Sequence, residues 1–317
     1  MAGICDGRVA IVTGAGRGIG REHALMLASE GAAVVVNDLG AQPDGEGADL
    51  GPANEVVAEI EAMGGRAIVN GSDVTSFDES AAMVAQAVDA FGRLDILVNN
   101  AGILRDRMVF SMTEAEWDSV VAVHLKGHFC PTRHAAAYWR EQSKAGNAVD
   151  ARIINTASPS GLYGNVGQTN YGAAKAGIAS FTMVCALELG RIGVTANCLH
   201  PGVVGTNLGS GVSGAFGFMV RALTPLMKSP EKGAETSIYL ASSPEVEGLS
   251  GRYFVKKAEA RSSDVSYDEK IARRLWVRSW SATQDVATWS STRVVSSHHL
   301  CQASEPDRRI AAYGFRW

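Results

Sequence analysis

Three absences narrow what this chain can do. Its five cysteines, Cys5, Cys130, Cys185, Cys198 and Cys301, are odd in number, scattered and never spaced as CxxC. That pattern excludes a disulfide framework and a thiolate metal site, and it leaves reduced thiols, most of them small core residues. The formal net charge of −4 and pI near 6.0 carry no basic surplus, so nucleic acid is not an expected partner. No run of 18 apolar residues announces a membrane span, and no charged-then-apolar leader precedes the first apolar stretch. Phe315-Arg316-Trp317 is not a peroxisomal address, so a cytoplasmic location is expected. With 317 residues, 46% of them apolar, the chain can bury the core of one α/β unit with an appendage.

Short apolar runs at 8–13, 33–37, 66–70, 94–98, 152–157, 194–199 and 251–255 read as strands. Between them lie helical patterns: 24–28 ending at Gly31, 53–63, 77–91, one from Tyr171 to about 191, and 232–241. A further helix is capped by Thr113 with Glu116 three residues on, and it runs toward Tyr138. This alternation predicts a doubly wound parallel sheet, Rossmann-like, as a single domain over 1–257. Residues 39–51 form a glycine- and acid-rich loop with nothing to bury, and the pattern loosens again over 203–227, which reads either as a segment that closes over a lipophilic substrate or as a poorly packed surface loop. An amphipathic helix is expected at 266–280, where Ile271, Leu275 and Trp276 share a side. The region 281–317 has no periodicity and is expected to be a disordered tail.

Chemistry concentrates at strand ends. The first strand runs directly into Gly14-Ala-Gly-Arg-Gly-Ile-Gly20 and then into a helix, the setting in which glycines let the backbone approach a pyrophosphate. Asp38 ends the second strand, where a carboxylate accepts from ribose hydroxyls and repels a 2′-phosphate. That favours NAD over NADP, while Arg17 in the loop argues mildly the other way. Asn99-Asn-Ala-Gly102, at the end of the fourth strand, reads by itself as a plain turn, or as small residues that let the backbone pass close beside a cofactor. Tyr171 and Lys175, four apart, share one helix face. A cation beside a phenol lowers its pKa, so the tyrosine can trade a proton with an alcohol near neutral pH. Ser158, just after the 152–157 strand, can present a hydroxyl to the same oxygen.

Together, the glycine loop, Asn99–Gly102, Ser158, Tyr171 and Lys175 resemble the short-chain dehydrogenase/reductase family over residues 7–257. The resemblance implies that Tyr171 is the general acid/base, that Ser158 steadies the substrate oxygen and that Lys175 holds the nicotinamide ribose. It also implies cofactor contacts from Gly14, Arg17, Gly18, Ile19 and Gly20, from Asp73 and Val74 at the adenine, and from Asn100, Ala101 and Gly102. Thr206 would hold the carboxamide, and no metal is needed. A narrower likeness, in Asn37-Asp-Leu-Gly40, Asn99 to Asp106, Val123-His-Leu125 and Tyr163 to Gln168, is to the 3-hydroxyacyl-CoA dehydrogenase domain of peroxisomal multifunctional enzymes. From about 193 to 280 the chain instead resembles retinol-dehydrogenase-type members. His124 stands where most of the family has Asn, and two readings stay open: a residue that positions a relay water, or a packed core histidine. The implied function is NAD-dependent hydride transfer to or from a 3-hydroxyacyl-CoA or steroid-like alcohol. A retinol-type alcohol is the alternative, and a non-catalytic NAD-sensing regulator the alternative of another class. A homodimer or homotetramer is expected.

Overall fold

The strands are apolar on both faces because helices cover both. Val9–Thr13 (β1), Ala33–Asn37 (β2), Ile96–Asn99 (β4) and Ala151–Thr156 (β5) are buried at every residue, as expected of parallel strands between two helical layers. With Arg66–Asn70 (β3), Val194–Leu199 (β6), Tyr253–Val255 (β7) and Ala258–Glu259 (β8) they form one sheet, ordered β3-β2-β1-β4-β5-β6-β7-β8. Every pair is parallel except β7–β8. This computed structural model describes residues 3–42, 44–202, 204 and 229–260. Thr206, most of 203–227, the 266–280 helix and the 281–317 tail lie outside the described residues.

Side-chain alternation divides the core in two. Val12, Val34, Val36 and Ile96 point to one face, beneath Leu27 of Gly18–Ser29 (α1), Ile60 of Gly51–Ala62 (α2) and Leu240 of Pro230–Ser242 (labelled α8). Ile11, Val35, Leu97 and Ile153 point to the other. There they meet Met83 of Phe77–Phe91 (α3), Trp139 of Gly127–Lys144 (α5) and Cys185 of Thr169–Leu189 (α7). The strand order reverses between β2-β1 and β4-β5, so the ends of β1 and β4 part and open a crevice at their carboxyl edge, the place where open α/β sheets bind ligands.

Several expected elements match the structure residue for residue, among them β2, β3, β6 and α3. α3 starts at Ser76, whose side chain accepts from Glu79 N–H, and stops at Gly92, in the left-handed region at φ 83°. Two readings need correction. The helix begun by the Thr113–Glu116 capping box is not continuous: Glu114–Val121 (α4) ends in a wide π turn over Ala122–Lys126 before α5 begins. Such turns insert an extra residue and re-aim a side chain; here the re-aimed residue is His124, which is buried. The 39–51 loop does have something to rest on, as described below. By length and composition alone, α7 with its following turn, Thr169–Ile192, is long and apolar enough to cross a membrane. Its polar Asn170, Lys175 and Thr182 are buried, however, and Thr182 Oγ1 accepts from Asn155 of β5, so it packs as a core helix of this sheet. Pro159–Tyr163 (α6) and β8 were not anticipated.

Three histidines, His23, His124 and His128, are each 1% exposed. Among the described residues neither ring nitrogen of His23 has a partner, and burial pushes its pKa down to about 3. Burial also holds His124 and His128 well below the usual histidine range. A histidine whose folded pKa is depressed binds a proton only in the unfolded chain below ~6.5, so stability falls as pH drops through that value. Each such group steepens the fall by up to ~1.4 kcal/mol per pH unit. The urea midpoint is therefore expected to drop between pH 6.5 and 4, with His23→Leu flattening the slope by close to one proton. An unchanged slope in that variant would show that His23 is not buried neutral.

Candidate active site

The crevice begins where β1 and β4 are tied together. Thr13 Oγ1 accepts from the backbone N–H of Asn100 at 2.9 Å and of Ala101 at 3.1 Å. Asn100 Nδ2 returns hydrogen bonds to Thr13 O and Gly14 O at 3.0 and 3.1 Å. The glycine loop then turns so tightly that a Cβ at Gly20 would stand 1.9 Å from Gly14 O. No side chain caps the α1 N-terminus at Arg17, which leaves its first N–H groups for an anionic ligand. At the end of β2, Asp38 Oδ2 accepts from Gly16 N at 2.7 Å and Oδ1 from Gly40 N at 2.6 Å. Each carboxylate oxygen retains a lone pair for a ribose hydroxyl. Arg17 donates to Ala41 O at 3.2 Å. Asp73 closes its own turn on Thr75, and Val74 is buried beside it. The cradle, the open helix end and the acceptor at Asp38 together fit an extended dinucleotide.

The other half of the crevice is set by α7. Asn170 is fully buried and joins three segments: its Nδ2 donates to Arg105 O and to Glu116 O, both at 3.0 Å, and its Oδ1 accepts from Tyr171 N at 2.7 Å. One turn on, Lys175 is 2% exposed, and its Nζ donates to Thr156 O at 2.6 Å. The same Nζ lies 5.4 Å from the Tyr171 ring centroid. Ser158 caps α6, its hydroxyl accepting from Ser160 N at 3.2 Å. Burial lowers the Lys175 pKa to about 7. It also raises the Tyr171 phenol, against a downward pull from the Ser158 hydroxyl and with a further push from the Asp106 carboxylate. Burial, not Lys175, thus sets the direction of this shift. The ammonium is committed to the Thr156 carbonyl and is itself weakened by burial.

His124 lines the same crevice. Its Nε2 lies 2.8 Å from Ile103 O and 3.3 Å from Ile103 N. The shorter contact makes Nε2 the protonated nitrogen and leaves Nδ1, unpartnered among the described residues, as an acceptor. The imidazole stands edge-on to Tyr171, 5.0 Å between centroids at 90°. A Cβ at Gly102 would meet His124 Cε1 at 2.4 Å, so that glycine makes room for the ring. His124 is therefore packed and neutral, yet it keeps one free acceptor at the site.

A single cleft of about 540 Å³ contains every sequence-expected site residue that falls within the described range, from Gly14 through Asp38, Asp73 and Asn100 to Ser158, Tyr171 and Lys175. Thr206 lies outside that range. Sequence reasoning missed Asn170 and Gln168. Gln168 Nε2 donates to Asp106 at 2.8 Å, and its Oε1 accepts from Ser160 Oγ at 2.9 Å, which links Asp106 to the Ser158 turn. Both are polar residues beside Tyr171 at the start of a helix, and that was the available signal. Among the described residues no cluster of His, Cys, Asp and Glu could hold a metal ion.

Comparison with known proteins agrees with this geometry. The family profile described as short chain dehydrogenase matches residues 8–215. Hydroxyacyl-CoA dehydrogenase ChsB1 of Mycobacterium tuberculosis is 50% identical over 202 residues, which cover 62% of this chain and 61% of that protein. Peroxisomal multifunctional enzyme type 2 of Drosophila melanogaster is 48% identical over 196 residues, 62% of this chain and 31% of that protein. The match thus spans less than two thirds of either relative. A 3-oxoacyl-[acyl-carrier-protein] reductase of Synechocystis is 39% identical over 249 residues, 78% of this chain and 94% of that protein. A crystal structure of a short chain dehydrogenase from Mycobacterium avium superposes with a TM-score of 0.70 at 49% identity, covering 82% of this chain and 86% of that one. The chain is a member of the short-chain dehydrogenase family, a family of oxidoreductases.

Proposed function

We propose that this oxidoreductase is NAD-linked and acts on the 3-hydroxyl or 3-oxo group of an acyl thioester, an acyl-CoA first and a steroid-like secondary alcohol next. The observation that carries the cofactor half is Asp38. Its carboxylate is fixed by two backbone N–H groups at the end of β2, and Arg17, the one nearby cation of the glycine loop, is engaged by Ala41 O. A 2′-phosphate would meet a fixed negative charge there, whereas two ribose hydroxyls would find acceptors. The substrate half is supported by two relatives, one named a hydroxyacyl-CoA dehydrogenase and the other a 3-oxoacyl-[acyl-carrier-protein] reductase. A retinol-type alcohol is the next substrate class to assay.

The nicotinamide cofactor, when bound, supplies the hydride acceptor or donor. The residues of this chain handle the proton and the oxygen. Tyr171 moves a proton to or from the substrate oxygen, and Ser158 Oγ holds that oxygen in register with it. Lys175 anchors the α7 end of the site through Thr156 O and offers its remaining N–H groups to a ribose. Burial raises the phenol, and the Ser158 hydroxyl is the neighbour that pulls it down. Retention of Tyr171, Lys175 and Ser158 in one crevice argues for turnover over NAD sensing alone.

Tyr171→Phe keeps the ring packed against His124 and removes the exchangeable proton. Turnover is expected to fall by about 10²–10⁴-fold, with NADH binding retained when followed by fluorescence. Near-normal turnover in that variant would remove Tyr171 from the mechanism. In the cofactor-free protein, the phenolate absorbance lost in Tyr171→Phe should titrate above ~10, the free tyrosine value.

Asp38→Ala frees the Gly16 and Gly40 amides, so affinity for both dinucleotides is expected to drop. The kcat/KM ratio of NAD to NADP should nonetheless move toward NADP by about tenfold, the equivalent of ~1.4 kcal/mol of charge repulsion. A wild type that prefers NADP would contradict the cofactor reading.

A further inference from the structure

The loop after β2 lines the crevice and is held by the segment after β4. Arg105, in the segment after β4, donates through Nε to Asp44 O at 2.8 Å and through Nη2 to Glu46 Oε1 at 2.6 Å. Gly45, at φ 91°, rests on Ile103: a Cβ there would stand 3.0 Å from Ile103 Cδ1. The loop has its own turn, with Gln42 N donating to Glu46 O and Gly45 N to Gln42 O, both at 2.8 Å. At its near end Arg17 holds Ala41 O. Ala41, Gln42, Gly45, Ile103 and Arg105 all line the cleft that also contains Asp38 and the glycine loop. The loop thus forms a wall of the nucleotide half of the crevice, spanning from the second strand to the fourth.

We infer that Arg105 is a positioning residue that holds this loop as a strap over the bound nicotinamide dinucleotide and thereby sets its rate of release. The inference rests on the family's use of a nicotinamide cofactor. It does not depend on the choice between NAD and NADP or on the substrate. The guanidinium suits the task because its planar fork grips a backbone carbonyl and a carboxylate in two directions at once, which an ammonium cannot do with the same geometry. The Asp44 carbonyl contact carries most of the hold, since Glu46 is 74% exposed and its ion pair is open to screening by salt. Gly45 carries the remainder, because only a residue without Cβ lies flat on Ile103 at that φ. The backbone carbonyl of Arg105 accepts from Asn170. Replacing its side chain therefore releases the strap without cutting the contact that seats Tyr171.

The test is stopped-flow release of NADH, read by fluorescence without any substrate, for wild type, Arg105→Ala, Arg105→Lys, Glu46→Gln and Gly45→Val. NADPH is run in parallel. Arg105→Ala and Gly45→Val are each expected to speed release by about five- to twentyfold, with melting temperatures of the cofactor-free proteins close to wild type. Arg105→Lys should recover part of the loss, Glu46→Gln should change release by no more than about threefold, and 0.5 M salt should mimic Glu46→Gln and not Arg105→Ala. Release within twofold of wild type in both Arg105→Ala and Gly45→Val overturns the strap while leaving the proposed function intact. A wild type that binds neither dinucleotide overturns both.

Discussion

One hydrogen bond organises the chemical half of this protein: Lys175 Nζ to the carbonyl of Thr156, 2.6 Å, in a position with almost no access to water. Burying an ammonium is costly unless it is paired or gives up its proton. This one has a single carbonyl and no carboxylate partner among the described contacts, and its pKa falls to about 7. Thr156 ends β5 and Ser158 follows two residues later, so the bond fixes α7 to the strand end that presents the serine. Deeper in the core a polar ladder runs the same way: Asn99 donates to Asn155 and Asn155 to Thr182, each at 2.9 Å. The ends of β4 and β5 and the middle of α7 are thereby held in one register.

The five residues after Asn99-Asn-Ala-Gly102 connect the two halves of the crevice. Ile103 offers its backbone to His124 and its side chain to Gly45. Arg105 reaches the strap with its guanidinium and Asn170 with its carbonyl. Asp106 holds Gln168, and Arg107 donates its N–H to Gly167 O at 2.8 Å and pairs with Glu116. Glu116 is also the capping-box residue of α4, and the Thr113 backbone N–H and the Arg107 guanidinium hold its carboxyl down to about 2. An extended segment without regular structure of its own is therefore pinned at nearly every residue. It lies between the strap that covers the nucleotide side and the tyrosine that handles the proton.

What was legible in the sequence is what short-range chemistry writes there. Short apolar runs marked β2 and β3 to the residue, and the helical pattern over 77–91 marked α3, because buried strands and amphipathic helices are local patterns. The glycine loop, Asp38, Tyr171 and Lys175 were legible because their spacing and strand-end placement are local too. The strap was not: Arg105 and Glu46 are 59 positions apart, and a glycine- and acid-rich loop looks unanchored until its distant cation is found. Asn170 was hidden for the same reason, since its partners lie 54 and 65 positions away. The π turn and the direction of the Tyr171 shift both depend on burial, which only the assembled core determines.

Lys175 sits desolvated against Thr156, with its pKa lowered to about 7 before any cofactor arrives. Carbon-13 NMR of protein labelled at lysine Cε, with the Lys175 signal assigned by its loss in Lys175→Met, follows this one side chain through a pH titration. The account predicts a midpoint near 7 in the cofactor-free protein. A midpoint close to ~10.4, the value of a solvated lysine, would contradict it.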